Sequence, residues 1–478
     1  MKEDFIAYDN LRVSPYKVKY IKEIHIENDL NNHATLKLNA IVDESLGDSY
    51  VDSTDEETII SVYCEKENGS YVLFNGVVTK VKTNVDNYVY TLSIEAKSYT
   101  YLMDINKVNR DFQDTSMTTH ALIDEVMKSY PTAIYDINIP NEPIGEYILQ
   151  YNETDYEFLK RIVSKYHMGV IAAMELNNIH VYFGTPEIAV NPKLEINNYT
   201  ISKAVEEYND IKNNDFEGVP ETDFITYKIK TDEIFNLGEN FNIKGQKFYV
   251  RKVDFNMIEG SFKNSYELRP KGGLIQKRLY NMNVIGISVK GSIAEVKRDR
   301  VKITLDEVTN VSGAAYWFPY STVAASPDGG GWYCMPEVGE KIRMNCPTKD
   351  ESKAYVINAI ESYEGKKGAG ASEDRMSNPD NKSLQAVGQE VKFTPSGVNI
   401  CCSGGQASMN LNKDGTIDIV GQKNINIACA NNLMMRAEKS LSISAEKSVD
   451  ILCESGSSFI LSEGDEILVS GTRTQNNG

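Results

Sequence analysis

The sequence predicts a mainly β protein with two β-barrels, a helical insertion between them, a smaller five-stranded barrel and a C-terminal β-helix. Three observations predict this architecture. Many short segments alternate apolar and polar residues, as strands with one buried face do. Only two segments show helical periodicity, and both lie in the first half of the chain. From Gly415 onward the sequence repeats every eight positions, which indicates a stacked solenoid.

Length and composition limit the classes of function. The 478 residues suffice for about three or four domains. The net charge of −18 disfavours phosphate backbones and anionic membranes, so we expect no nucleic-acid partner. The start Met1-Lys2-Glu3-Asp4 leads into no apolar segment, and no apolar run is long enough to span a bilayer. We therefore expect synthesis in the cytoplasm without a signal peptide, and seven reduced cysteines.

Residues 1–105 are predicted to form the first barrel. Residues 35–40 and 88–96 alternate cleanly between apolar and polar side chains. The Asn75-Gly76 pair stands between apolar runs, which predicts a hairpin turn or a bulge.

Residues 106–174 are predicted to form the helical insertion. One helix is expected at about 116–130. A second begins with Thr154 and Glu157, whose spacing fits a capping box in which each side chain accepts a hydrogen bond from the other residue's backbone N–H. Its buried stripe would consist of Phe158, Leu159, Ile162, Val163 and Tyr166.

The rest of the chain returns to strand patterns. We expect it to divide into a second barrel (175–280), a small barrel of the OB type (281–361), an extended linker (362–390) and a β-helical needle (391–478).

The eight-residue repeat carries apolar columns. Residues at i, i+2 and i+4 lie on one face of a strand, and a fixed return of eight positions places each strand on the previous one. Two columns are the candidate axis of the needle: Ile417, Ile425, Leu433, Leu441 and Val449, and two residues later Ile419, Ile427, Met435, Ile443, Ile451, Phe459 and Ile467.

Catalytic and metal sites are not predicted. The five histidines are dispersed without ligand spacing, so we expect no metal and no cofactor, and His167 is expected to favour the C-terminal dipole of the second helix. Glu337 and Glu340 flank a turn and have no evident pocket, which argues against a glycosidase dyad. Gly329–Gly331 lacks the Lys-Ser/Thr of a phosphate loop.

An OB barrel raises nucleic-acid binding as an alternative. That function needs cations beside aromatic platforms. The aromatic residues of this region have few basic neighbours in sequence, and Trp332 is interpreted as a packing wedge; they are Tyr316, Trp317, Phe318, Tyr320, Trp332 and Tyr333.

Three stretches resemble the VgrG and tail-spike proteins of contractile injection systems. Residues 74–81 are similar to the family's Phe-x-Gly-x-Val strands. Residues 151–161 resemble its Tyr-x-Glu-Thr-Asp-x-x-Phe-Leu-x-Arg motif, and residues 332–342 its Pro-Glu-Val-Gly loop. The matching motif residues are Glu153, Thr154, Asp155, Phe158, Pro336, Glu337, Val338 and Gly339.

The resemblance implies a homotrimeric spike. The two larger barrels would be hub barrels forming a ring of six, the OB barrels a neck, and the octads of three chains one triple-stranded β-helix. It also implies an inner tube protein and baseplate proteins as partners, with a PAAR-like tip protein or a separate effector as cargo. The assembled particle would act at the exterior or in a target cell.

The alternatives to a spike are a polysaccharide-active β-helix protein and a receptor-binding fibre. Some relatives carry a lysozyme domain before the needle or an effector after it, and this sequence shows neither, so we expect a non-enzymatic piercing protein. A polysaccharide-active β-helix would need longer coils and a catalytic groove. A receptor-binding fibre would normally end in a globular head.

Overall fold

A computed structural model describes residues 10–447, apart from 67–68, 191–197, 215, 217, 232, 244, 259–260, 322–333, 359–379, 387 and 403–404. The chain divides into two compact units, Met1–Glu361 and Ser362–Gly478. The first unit contains a large sheet, an insertion and a small barrel.

The large sheet is mainly antiparallel. Its strand order is β1-β4-β5-β6-β3-β2-β16-β17-β14-β13, and β15 pairs with both β16 and β12. The strands are β1 (Leu11–Ser14), β2 (Val18–Asp29), β3 (Thr35–Val42), β4 (Ile59–Lys66), β5 (Gly69–Asp86), β6 (Val89–Ser98), β12 (Ile188–Ala189), β13 (Tyr199–Lys203), β14 (Ile225–Thr231), β15 (Glu239–Ile243), β16 (Gln246–Ile258) and β17 (Ser261–Arg269).

The two β modules share this sheet. Strand β2 pairs antiparallel with β16, from Glu23 opposite Ile258 to Asp29 opposite Lys252. Apolar side chains from both strands lie in one continuous core. The modules are therefore hydrogen-bonded to each other, which the sequence did not predict.

Alternation predicts the inward face of β3 correctly, because Leu36, Leu38 and Ala40 are buried while Lys37 is exposed. The Asn75-Gly76 pair, for which a hairpin turn or a bulge was predicted, forms no hairpin turn. Gly76 lies inside β5, where a Cβ would stand 2.1 Å from the carbonyl oxygen of Lys97. The glycine permits close strand contact, and a bulge follows between Val78 and Lys80.

The insertion is mixed rather than purely helical. Its two predicted helices are α2 (Thr119–Met127) and α3 (Asp155–Ser164). They pack their apolar faces into a second core, together with strands β7 (Lys107–Phe112), β8 (Ile134–Ile137), β9 (Ile148–Thr154), β10 (Val170–Ala172) and β11 (His180–Phe183). His167 lies beyond α3 with φ +55°, and its Nδ1 contacts the carbonyl oxygen of Gln276 instead of the last helical turn.

Two helices of the structure, α1 (Glu44–Ser53) and α4 (Val205–Asn214), were not predicted from the sequence. Helix α1 buries only Gly47, and α4 is largely polar. Neither carries the broad apolar stripe by which α2 and α3 were recognised.

The small barrel has five paired strands in the order β21-β19-β18-β22-β23. A bridge between Tyr320 and Val356 links the two ends of this order, so the sheet closes into a barrel. The strands of this region are β18 (Ser288–Lys297), β19 (Arg300–Leu305), β20 (Thr309–Asn310), β21 (Phe318–Pro319), β22 (Lys341–Asn345) and β23 (Tyr355–Asn358).

The second unit begins as an antiparallel meander. Strands β24 to β28 pair in sequence order, and the first of them lies inside the predicted linker. They are β24 (Lys382–Ala386), β25 (Gln389–Thr394), β26 (Gly397–Cys402), β27 (Ala407–Asn412) and β28 (Ile417–Gly421). Residues 422–447, which are all described, form neither helix nor strand in the single chain.

Candidate functional site at the junction of insertion and small barrel

The junction is built on the direct passage from β9 into α3. Thr154 Oγ1 accepts a hydrogen bond from the Glu157 N–H at 3.1 Å, and Glu157 Oε2 accepts one from the Thr154 N–H at 3.1 Å. The predicted capping box is therefore present. It fixes where the helix begins, and so fixes the direction of each charged side chain around it.

Glu153, Arg161 and Glu351 form a buried charge triad, called the clamp below. The Arg161 guanidinium lies 2.9 Å from Glu153 Oε1 and 2.6 Å from Glu351 Oε1. It also donates to the carbonyl oxygen of Leu149 at 3.0 Å. Glu351 precedes β23, so the clamp joins the insertion to the small barrel across 190 residues of sequence.

Burial acts to lower the pKa of Arg161, but the charges of Glu351 and Glu153 outweigh it and hold this pKa above its usual value. The guanidinium thus stays charged in the junction. Asn281 Nδ2 lies 3.3 Å from Glu153 Oε2 and donates to the carbonyl oxygen of Tyr151 at 2.8 Å, so the connection between β17 and the small barrel is tied to the same point.

Asp155 anchors the other side of α3. It accepts hydrogen bonds from Arg110 Nη1 at 2.5 Å, Gln150 Nε2 at 2.9 Å and the Tyr130 hydroxyl at 3.0 Å. Burial and the Asp155 charge raise the pKa of Tyr130, which keeps this hydroxyl a donor. Strand β7, strand β9 and the segment that follows α2 are held together through this one carboxylate.

Thr154 reaches a third element. Its hydroxyl donates to Asp104 Oδ1 at 2.5 Å, and Asp104 Oδ2 lies 3.1 Å from His33 Nε2. Burial lowers the pKa of His33. Burial also opposes ionisation of Asp104, but hydrogen bonds from His33 and Thr154 outweigh it and lower the pKa of this carboxyl. The motif is thereby linked to the large sheet.

Phe158 supplies the apolar part of the motif. Its ring stacks on Phe112 with centroids 5.6 Å apart and an interplanar angle of 10°. The Arg161 guanidinium lies 5.2 Å from the same ring. The ring therefore covers the clamp from the insertion core.

Backbone pairing reinforces the junction. Strand β20 pairs in parallel with β7, placing Thr309 opposite Arg110 and Asn310 opposite Asp111. The Gln113 side chain donates to the carbonyl oxygen of Ile303 at 3.1 Å and accepts from the Ala315 N–H at 3.2 Å. The small barrel thus extends a sheet of the insertion by one strand.

A second buried carboxylate lies beside this pairing. Asp111 is fully buried and accepts one side-chain hydrogen bond, from Gln113 Nε2 at 2.6 Å. Its other oxygen and the buried Tyr147 hydroxyl make no hydrogen bond to described residues. Burial raises the pKa of Asp111 to about 6. This carboxyl therefore changes charge close to neutral pH.

The Pro-Glu-Val-Gly stretch forms a tight turn into β22. Gly339 has φ +91°, which glycine adopts without strain, and its N–H donates to the carbonyl oxygen of Ile293 at 2.8 Å. The Glu337 N–H donates to Glu340 Oε2 at 3.1 Å. Val338 is exposed beyond Pro336, so this motif closes a turn and points its apolar side chain outward.

The predicted axis residues are exposed in the single chain. The exposed fraction runs from 53% at Ile425 to 66% at Ile427. The described members are Ile417, Ile419, Ile425, Ile427, Leu433, Met435, Leu441 and Ile443. Val449, Ile451, Phe459 and Ile467 lie outside the described residues, as does Trp332.

Sequence reasoning found the motif but missed its partners. Arg110, Asp111, Gln113 and Glu351 have no local signature, because each gains its role from a residue on another element. A polar side chain at an inward position of a strand was the only signal available for Asp111. Apart from the oxygen of Asp111 that makes no hydrogen bond to described residues, the carboxylates of the junction contact donors of the same chain. The arrangement therefore holds helices and strands in position.

Residues 57–175 match the family model of the phage tail baseplate hub (GPD). No curated protein matches the chain. The fold is similar to that of the Escherichia coli c3393 protein, described as a type VI secretion component resembling T4 bacteriophage tail proteins gp27 and gp5. The sequence identity is 12% and the TM-score is 0.52. The match covers 72% of this chain and 98% of that one.

A chain of the half-lidded Francisella PdpA–VgrG complex is similar over 86% of this chain and 87% of its own, with 9% identity and a TM-score of 0.52. The resemblance inferred from the sequence is thereby confirmed in the fold. Among the described helices, none combines the length and apolar composition that crossing a bilayer requires.

Proposed function

We propose that this chain, which carries a phage tail baseplate hub segment and the fold of VgrG-type spike proteins, is the trimeric central spike of a contractile injection system. Three copies dock under the inner tube and are driven through the target envelope when the sheath contracts. The role is mechanical and involves no covalent step. Baseplate proteins hold the spike, and a PAAR-like tip protein or a separate effector is carried by it.

The exposed apolar columns carry this proposal. Eight large apolar side chains at a regular spacing are more than half exposed in the single chain. A soluble protein rarely exposes so extended an apolar surface unless another chain covers it. Each eight-residue repeat supplies one strand, which alone can neither bury its apolar face nor pair both of its edges. Three chains wound together bury these faces and pair these edges.

The junction supports the mechanical part of the proposal. A load on the small barrel reaches the insertion through the clamp and the β7–β20 pairing. From the insertion it reaches the large sheet through the contacts of Thr154 with Asp104 and of Asp104 with His33. The clamp is buried, and the loss of one partner of a buried ion pair strongly destabilises the fold. Such a connection resists separation of the parts under force.

The mass of the intact assembly tests the proposal. Native mass spectrometry should give three times the 53.6 kDa of one chain. Ile443→Asp would place three carboxylates on the axis and should give monomers. Ser442→Asp is the matched control, because it adds the same charge one residue away, on the other face of the strand expected in the trimer.

The outcomes separate two parts of the proposal. A monomeric wild-type protein would exclude the trimeric spike. A trimer that survives Ile443→Asp would keep the spike and show that this column does not line the axis.

A further inference from the structure

The outer surface of the small barrel carries a cluster of cations. Adjacent strands β19, β18 and β22 point their inward residues into the barrel core and their alternate residues outward. Six outward positions are basic and define the cationic face: Lys290, Lys297, Arg300, Lys302, Lys341 and Arg343. Such a cluster is unexpected in a chain of net charge −18.

Strand pairing brings these residues together. Lys290 lies opposite Arg343, and Lys297 opposite Arg300. Among the described residues, only Lys302 and Lys341 of this face pair with carboxylates: Glu295 at 2.8 Å and Asp306 at 3.7 Å. The remaining cations therefore keep their charge available to an outside ligand.

Trp317 lies within the cationic face, and two of the cations lie over its ring. Lys302 Nζ lies 4.7 Å and Lys297 Nζ 5.9 Å from the centroid of Trp317. Arg300 donates to the Trp317 carbonyl oxygen at 3.2 Å. Trp317 thus holds cations in place through its ring and is not a free platform for stacking a base.

We propose that the cationic face binds an acidic, extended segment of a partner protein. The face measures about 10 Å across three strands and about 20 Å along them. Alternate side chains of an extended peptide stand about 7 Å apart on one side, which is also the spacing of Arg300 and Lys302 along β19. Carboxylates on one side of such a peptide meet the cations in register.

The size and setting of the face favour a short acidic segment over nucleic acid. A phosphate polymer extends past a face of this size onto a chain whose net charge is −18. Repulsion acts there over a Debye length of about 8–10 Å. A short peptide remains within the attractive field of the face.

Fluorescence anisotropy of a labelled peptide with glutamate at every second position tests the proposal, using the full-length protein at low ionic strength. The triple variant Lys290→Gln, Lys297→Gln, Arg300→Gln should raise the dissociation constant about tenfold, because each exposed ion pair contributes modestly. The matched control Lys22→Gln, Lys37→Gln, Lys82→Gln removes the same charge from the large sheet and should leave binding unchanged.

A variant that should bind the peptide more tightly tests the proposal in a way that misfolding cannot mimic. Glu295→Lys removes the acidic side chain beside Lys302 and should tighten binding about twofold to threefold. Absence of peptide binding, equal losses in both triple variants, or weaker binding by Glu295→Lys would overturn the proposal. A labelled oligothymidylate of equal charge that binds as tightly as the peptide would overturn it in favour of nucleic acid.

Discussion

Replacing Arg161 by alanine tests the clamp most directly. Arg161 is 3% exposed and is the cation shared by Glu153 and Glu351, which are 5% and 6% exposed. Its removal leaves two carboxylates buried without a cation. Breaking a buried pair on one side costs about 3–5 kcal/mol, so we expect the free energy of unfolding to fall by that amount.

Urea unfolding of the full chain measures this loss with two probes. Tryptophan fluorescence follows the small barrel, because both tryptophans of the chain, Trp317 and Trp332, fall within residues 281–361 of the sequence. Circular dichroism follows the β structure as a whole. Arg278→Ala is the matched control: Arg278 is 37% exposed at its side chain and lies 3.6 Å from Glu146, so its loss should cost less than about 1 kcal/mol. Glu351→Ala should cost an intermediate amount, because Arg161 then keeps Glu153.

A double-mutant cycle decides whether the clamp acts as one unit. Arg161→Ala and Glu351→Ala remove partners 2.6 Å apart, so their combined cost should differ from the sum by at least about 1 kcal/mol. Additive costs, or an Arg161→Ala variant as stable as Arg278→Ala, would refute the reasoning.

Three further substitutions probe single contacts. Burial raises the folded-state pKa of Asp111 to about 6, above its usual 3.8, so the destabilisation caused by this ionised carboxylate should be lost as pH falls from above 6 towards 4. The Asp111→Asn variant should be up to about 3 kcal/mol more stable than the wild type at neutral pH, and its stability should lose this dependence on pH. Urea midpoints of the variant that still vary with pH as those of the wild type do would contradict this. Thr154→Ala should lower the free energy of unfolding by about 1–2 kcal/mol, and by more than the simpler cap variant Thr118→Ala, since Thr154 also bonds Asp104. Gly76→Ala should cost about 1–3 kcal/mol in a thermal melt, because its Cβ meets the Lys97 carbonyl oxygen; an unchanged midpoint would show that β5 and β6 can separate freely.

Local chemistry made parts of this fold predictable. The capping box of α3 depends on residues three positions apart, and the alternation in β3 depends on residues two positions apart. Both patterns follow from geometry within one element. The barrel strands and the turn at Gly339 were recognisable for the same reason.

Long-range pairing was not predictable from these patterns. Alternation in β2 indicates a buried face, but it does not indicate that β16 lies beside it. Arg161 was recognisable as part of a motif, whereas its partner Glu351 stands 190 positions away in a short polar segment. The cationic face was not predicted because it forms only when β22 pairs beside the β18–β19 hairpin, and β22 lies further along the chain.

The core of the small barrel has a consequence for exchanging parts between related proteins. Tyr147 and Leu149 belong to the insertion, yet both are fully buried in the core of the barrel, where the Tyr147 ring contacts Phe318 at 4.8 Å between centroids. A chimera cut at residue 281 would leave the transplanted barrel without two of its own core side chains. Exchange at this boundary therefore requires that the donor protein's segment 147–149 be transferred together with its small barrel.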